Sequence, residues 1–151
     1  MTSLDAITVR VEPATGNVAP LLHEIRHALM RMAAGEGNHD ANEPANGLPM
    51  NAQSASSVID LRSLPLAPGE EERIEEILGV GEVRAELNAL GPTIVQETRV
   101  SGVWLITHRN ENDEVVAKFI EVTRIPAILL AQDEDIRHGV EYLNKELGIG
   151  D

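Results

Sequence analysis

The chain has 151 residues, enough for one domain, and 42% of them are hydrophobic, nearly all aliphatic, which argues against wholesale disorder. It contains no cysteine, so disulfides, thiolate nucleophiles and Cys-ligated metal centres are excluded. A formal net charge of −13 makes nucleic acid and anionic lipid poor partners, since binding phosphate needs clustered Lys and Arg.

The charge serves solubility first, and it also favours encounter with a basic protein segment. The N-terminal stretch MTSLDAITVRVEP has neither a basic start nor an apolar h-region, so no secretory signal is expected. No apolar run reaches the about 18 residues of a membrane span. The expectation is therefore a soluble cytoplasmic protein.

In chain order, AITVRVEP alternates apolar and polar residues, with Ile7, Val9 and Val11 on one face, which predicts a strand ended by Pro13. NVAPLLHEIRHALMRMAAGEG predicts an amphipathic helix. Asn17 stands where a cap is needed, Pro20 is tolerated in the first turn, and Gly35 stops the helix. Residues 35–57 are rich in Gly, Asn, Pro, Ser and Ala and have no period. They predict a mobile loop within a single domain spanning residues 1–151.

SVIDLRSLPL starts as a short strand. APGEEERIEEILGVGEV predicts a second helix, with Glu70, Glu71 and Glu72 at the positive end of its dipole and Ile74, Ile77 and Leu78 as its buried stripe. VRAELNAL, TIVQETRV, VWLITHR and EVVAKFIEV are strand-length runs separated by short turn segments, which implies an antiparallel meander. PAILLAQ reads as a short helix. DEDIRHGVEYLNKELG is a last helix, with Asp133 as its cap and Ile136, Val140, Leu143 and Leu147 along one side. The fold class is α+β: about four meander strands, extended by N-terminal strands, with helices packed on one face.

The loudest motif is HEIRH, His23 to His27, which matches the pattern of two zinc-binding histidines flanking a glutamate base. At about 100° per residue, however, both histidines point away from the stripe of Leu22, Ile25 and Leu29. No third ligand is evident, so a zinc hydrolase is only the alternative reading, and no metal or other cofactor is expected. GVGEV follows a helix rather than a strand and lacks a third glycine, so it is no dinucleotide fingerprint. No nucleophile motif occurs. Acid–base chemistry by His108, Glu114 and Glu121, all in one hairpin, competes with a wet sheet face carrying ordinary charges.

The stretch 102–122 holds the only tryptophan and the only phenylalanine. Trp104, Ile106 and His108 share one face of their strand, and Val103, Leu105 and Thr107 share the other. If the Val103 face meets the helices, Trp104 stands outside beside His108, as a protein-binding patch would. If the faces are reversed, Trp104 is core. Trp104, His108 and Glu121 are the partner-binding candidates, and no catalytic residue is assigned.

IDLRSLPLAPGEEERIEEILGVGEV, GPTIVQET, GVWLITHRN and FIEVTRIPAILLAQDEDI, in that order, resemble the hydrogenase expression/formation proteins of the HupH/HyaF type. The resemblance covers residues 18–137. It implies a non-enzymatic chaperone or scaffold for maturation of uptake nickel–iron hydrogenase. Its implied partners are a hydrogenase subunit precursor and other maturation factors, with a homo-oligomer as a further expectation. The family brings no established catalytic residues, and its members are typically longer, with this unit as one part.

Overall fold

The computed structural model describes residues 16–35, 56–88 and 91–150. The expected strand at Ile7 to Val11 and nearly all of the loop expected at 35–57 lie outside them. Ser57, the last residue of that loop as expected, already belongs to a strand.

The order of elements is α1 (Val18–Ala33), β1 (Ser57–Asp60), α2 (Glu70–Leu78), β2 (Arg84–Asn88), β3 (Pro92–Glu97), β4 (Val103–Arg109), β5 (Val115–Val122), a 3-10 turn (Ala127–Leu129) and α3 (Asp133–Glu146). Among the described residues the sheet has five strands in the order β1-β5-β4-β3-β2, all neighbours antiparallel. The four-strand meander is β2 to β5, and β1 extends it beside β5. The fold is thus α+β, with an open sheet.

Short local contacts set the meander. The β4–β5 turn closes on Asn110, whose Oδ1 accepts from the backbone N–H groups of Asn112 at 2.9 Å and Glu114 at 3.0 Å. A side chain thereby does the work of a backbone turn. At the entrance to β3, Gly91 has φ 113°, and a Cβ there would collide with the Arg109 carbonyl. Only glycine fits a backbone of that sign at that separation.

The strand period of two divides the side chains between two faces. Val103, Val122, Ile120 and Ile59 meet Leu21, Ile25 and Ala28 of α1 and Ile74 and Leu78 of α2 in the larger core. Val95, Trp104 and Ile106 form a second, smaller core on the opposite face, with Ala85, Leu87, Phe119 and Leu129 packed against it.

Several local expectations are corrected. Ile77 is exposed; the inner stripe of α2 is Glu70, Ile74 and Leu78, one turn apart. Asn17 precedes α1 but does not cap it with its side chain; its Nδ2–H donates to the Pro65 carbonyl at 2.9 Å. Asp133 is the first residue of α3, and Gln132 holds the cap position. α3 itself buries none of its residues, so of the described α-helices α1 and α2 supply the core on the sheet.

Candidate functional site

Glu70 is the most heavily bonded of the three glutamates that open α2. One carboxylate oxygen accepts from the backbone N–H groups of Gly16 at 3.0 Å and Asn17 at 3.3 Å, and the other accepts from Ala67 at 3.0 Å. It is a buried staple joining the start of α1 to the start of α2. Sequence reasoning saw only a dipole partner, because two of the three bonded groups, Gly16 and Asn17, lie more than fifty residues away.

Next to it, Lys118 of β5 reaches up from the helix-side face to Glu71 and Glu75, each at 2.6 Å. Burial pulls its pKa down. The hydrogen bonds and charges of the two carboxylates outweigh that and leave it above the ordinary lysine value. Glu72 and Glu76 of α2 stay exposed, and Glu76 is paired with Arg73 at 2.7 Å.

On the opposite face the partner-binding candidates fall at three places. Trp104 lies between Glu121 of β5 and Glu97 of β3 in the strand register. His108 pairs with Thr93 and Ala117. Its Nδ1 lies 2.7 Å from Thr93 Oγ1, and its ring meets Phe119 edge-on at 5.8 Å between centroids. Glu121 and His108 are four residues apart in register, about 13 Å along the sheet. The structure therefore does not assemble them into an acid–base pair, and Glu114 is exposed in the turn.

Neither alternative for Trp104 holds whole. The Val103 face does meet the helices, which leaves Trp104 on the far side. Even so, Trp104 is only 6% exposed. The chain leaving β5 turns back across that face, burying Thr123 and Pro126 and laying Leu129 on the small core. Trp104 Nε1–H donates to the Thr123 carbonyl at 3.1 Å. Burial raises the pKa of Glu121, and the Ala127 backbone N–H donating to its carboxylate works against that rise.

The zincin alternative finds no support. His23 and His27 are exposed, with ring centroids 6.5 Å apart. Among the described residues no three His, Cys, Asp or Glu side chains stand close enough to hold a metal ion. Nor is any described helix long and apolar enough to cross a membrane.

What the described surface does offer is contact area. Among the described residues β1 and β2 end the sheet, and one edge of each has no described strand partner. α3 presents an apolar stripe outward.

Residues 15–149 match the family described as HupH hydrogenase expression protein, C-terminal conserved region. The chain belongs to the HupH family. It is 29% identical over 94 residues to the hydrogenase expression/formation protein HoxQ of Azotobacter vinelandii, covering 62% of this chain and 33% of that protein. It is 26% identical over 121 residues to the hydrogenase expression/formation protein HupH of Rhizobium leguminosarum bv. viciae, covering 80% and 36% respectively. The chain thus spans about a third of the length of the curated relatives it matches. Among solved structures, the hydrogenase expression protein HupH from Thiobacillus denitrificans superposes with a TM-score of 0.70 at 32% identity, over 90% of this chain and 98% of that one. The matched HupH region accounts for nearly all of the chain.

Proposed function

We propose that this HupH-family chain is a non-enzymatic chaperone that holds a hydrogenase subunit precursor during maturation of the uptake enzyme in the cytoplasm. The observation that carries the reading is the edge of β2 that no described strand covers, on a chain with a net charge of −13. An exposed strand edge pairs with an extended segment through backbone hydrogen bonds. The acidic surface, with Glu72 and Glu76 outermost on α2, speeds encounter with a basic stretch of the immature subunit. Other maturation factors are compatible further partners.

The test is co-purification of the tagged chain from cells producing hydrogenase, at two salt concentrations. The expected result is an immature subunit recovered with the native chain and in smaller yield at high salt. Glu72→Lys combined with Glu76→Lys is expected to lower the yield and flatten its salt dependence. Equal capture by that double variant removes the steering step. Recovery of no hydrogenase subunit removes the proposal.

A further inference from the structure

His23 and His27 are exposed on α1 and stand four residues apart. Four residues are about one turn, or about 6 Å along the axis, so the two side chains lie one above the other. Their ring centroids are 6.5 Å apart, with the ring planes tilted by 44°. Neither imidazole makes a hydrogen bond or an ion pair with another described residue, so no described group competes for their nitrogens.

The packing of α1 fixes this placement. Leu21, Ile25 and Ala28 are buried in the core shared with the sheet and α2. At about 100° per residue the opposite side of the helix falls to His23 and His27. The other described histidines lack such a companion. His108 lies with its Nδ1 2.7 Å from Thr93 Oγ1. The residues three and four places from His138 on α3 are Glu134, Asp135, Glu141 and Tyr142.

Imidazole nitrogen suits borderline divalent ions such as copper, nickel and zinc. Metal–nitrogen bonds of about 2.0–2.1 Å ask the two ligating nitrogens to come within about 3 Å of each other. Exposed rings one turn apart reach that by rotation about their side-chain bonds, without moving the helix backbone. The charges alongside are mixed. Glu24 lies about 60° and Arg31 about 40° round the helix from His27, and Arg26 lies about 60° from His23 on the other side. All three are exposed, and the arginine stems carry their charges out into water. The chain as a whole, at −13, draws cations towards it.

We propose that His23 and His27 form a two-ligand site on the outer face of α1 that binds one divalent transition ion, of the copper, nickel or zinc type, through one imidazole nitrogen each. No third His, Cys, Asp or Glu among the described residues joins the pair, so the remaining coordination positions go to water or to a donor from another molecule. The site is therefore one for exchangeable binding, unlike the three-ligand centre of a zinc hydrolase.

Calorimetric titration of the full chain, purified without a polyhistidine tag, with Cu2+, Ni2+ and Zn2+ in turn tests this. The expected result is binding of one ion per chain, tightest for Cu2+ as the general order of divalent affinities requires. His23→Ala and His27→Ala should each weaken binding by about tenfold or more, because each removes one of two ligands. His138→Ala should leave it unchanged. The bound ion should also raise the unfolding temperature of the native chain and not that of the His27→Ala chain, because an ion held across one turn binds only the folded helix.

A chain carrying His27→Ala together with Arg31→His keeps the histidine count but sets the two imidazoles about 12 Å apart along the axis. It should bind no better than His27→Ala alone. Three results each overturn the proposal: no binding of any of the three ions at up to about 1 mM, binding that survives either single substitution, or recovery in the Arg31→His chain. None of them bears on capture of a hydrogenase subunit, which is measured separately.

Discussion

Trp104 of β4 and Thr123, just beyond β5, are joined by a buried hydrogen bond of 3.1 Å from the indole N–H to the backbone carbonyl. This bond pins the chain leaving β5 onto the sheet face opposite α1 and α2, and so makes a second core there. Trp104→Phe keeps most of the apolar area but loses the donor, and is expected to cost about 1–3 kcal/mol. Trp104→Ala also opens a cavity and is expected to cost about 3–5 kcal/mol. Denaturant unfolding measures both. Emission from this single tryptophan should be blue-shifted and poorly quenched by iodide, as befits a ring held out of water. Ready quenching in the folded protein would contradict the burial.

Glu70 is expected to matter more than either neighbouring glutamate. Its carboxylate satisfies three backbone N–H groups around the starts of α1 and α2. Hydrogen bonds to a charged group are worth about 1.5–3 kcal/mol each in favourable settings, and they are not additive. Glu70→Ala should therefore cost about 2–4 kcal/mol. Glu72→Ala, on the exposed side of the same turn, should stay within about 0.5 kcal/mol of the native chain. Equal losses in the two variants would show that Glu70 acts only through the helix dipole.

Lys118 gives stability a high-pH limit. Its folded pKa lies above its unfolded value, so the contribution is complete below the unfolded lysine pKa of about 10.4 and is lost as pH rises through the folded value. The pair is half-buried, so Lys118→Met should cost about 1–2 kcal/mol at neutral pH, between the values for exposed and buried ion pairs. The loss of stability on titration above about pH 10 should be shallower in the variant than in the native chain. Parallel limbs would show that the lysine contributes nothing through its charge.

Glu121 has the opposite sign. A carboxyl whose folded pKa is raised binds its proton more tightly when folded, so stability falls as pH rises from the unfolded pKa through the folded one. Above that window the buried charge is a standing cost. Glu121→Gln keeps an oxygen for the Ala127 N–H and removes the charge. It should equal or exceed the native stability at pH 7, with the difference shrinking as the native carboxyl protonates in acid. A variant clearly less stable at pH 7 would mean that the charge itself is needed.

The elements and their order were legible from local pattern. Alternation in VWLITHR and EVVAKFIEV, with Asn110 between them, was enough to specify the β4–β5 hairpin, because strand period and turn chemistry are properties of adjacent residues. The helical spacing of Leu22, Ile25 and Leu29 did the same for α1 and turned His23 and His27 outward, although the residues it buries are Leu21, Ile25 and Ala28. The family too was readable from linked segments rather than from any catalytic motif.

Which surfaces stay wet was decided only in three dimensions. Trp104 lies on the face away from α1 and α2, yet it is buried because residues 123–130 fold back over it, and no local pattern specifies where a connecting segment lies. Glu70 and Glu72 look alike in sequence, but one faces Gly16 and Asn17 while the other faces solvent. The stripe of α3 reads like that of α1, but only α1 finds a sheet beneath it. Periodicity shows that a side of a helix must be covered; the partner that covers it depends on contacts between residues far apart in the chain or on another molecule.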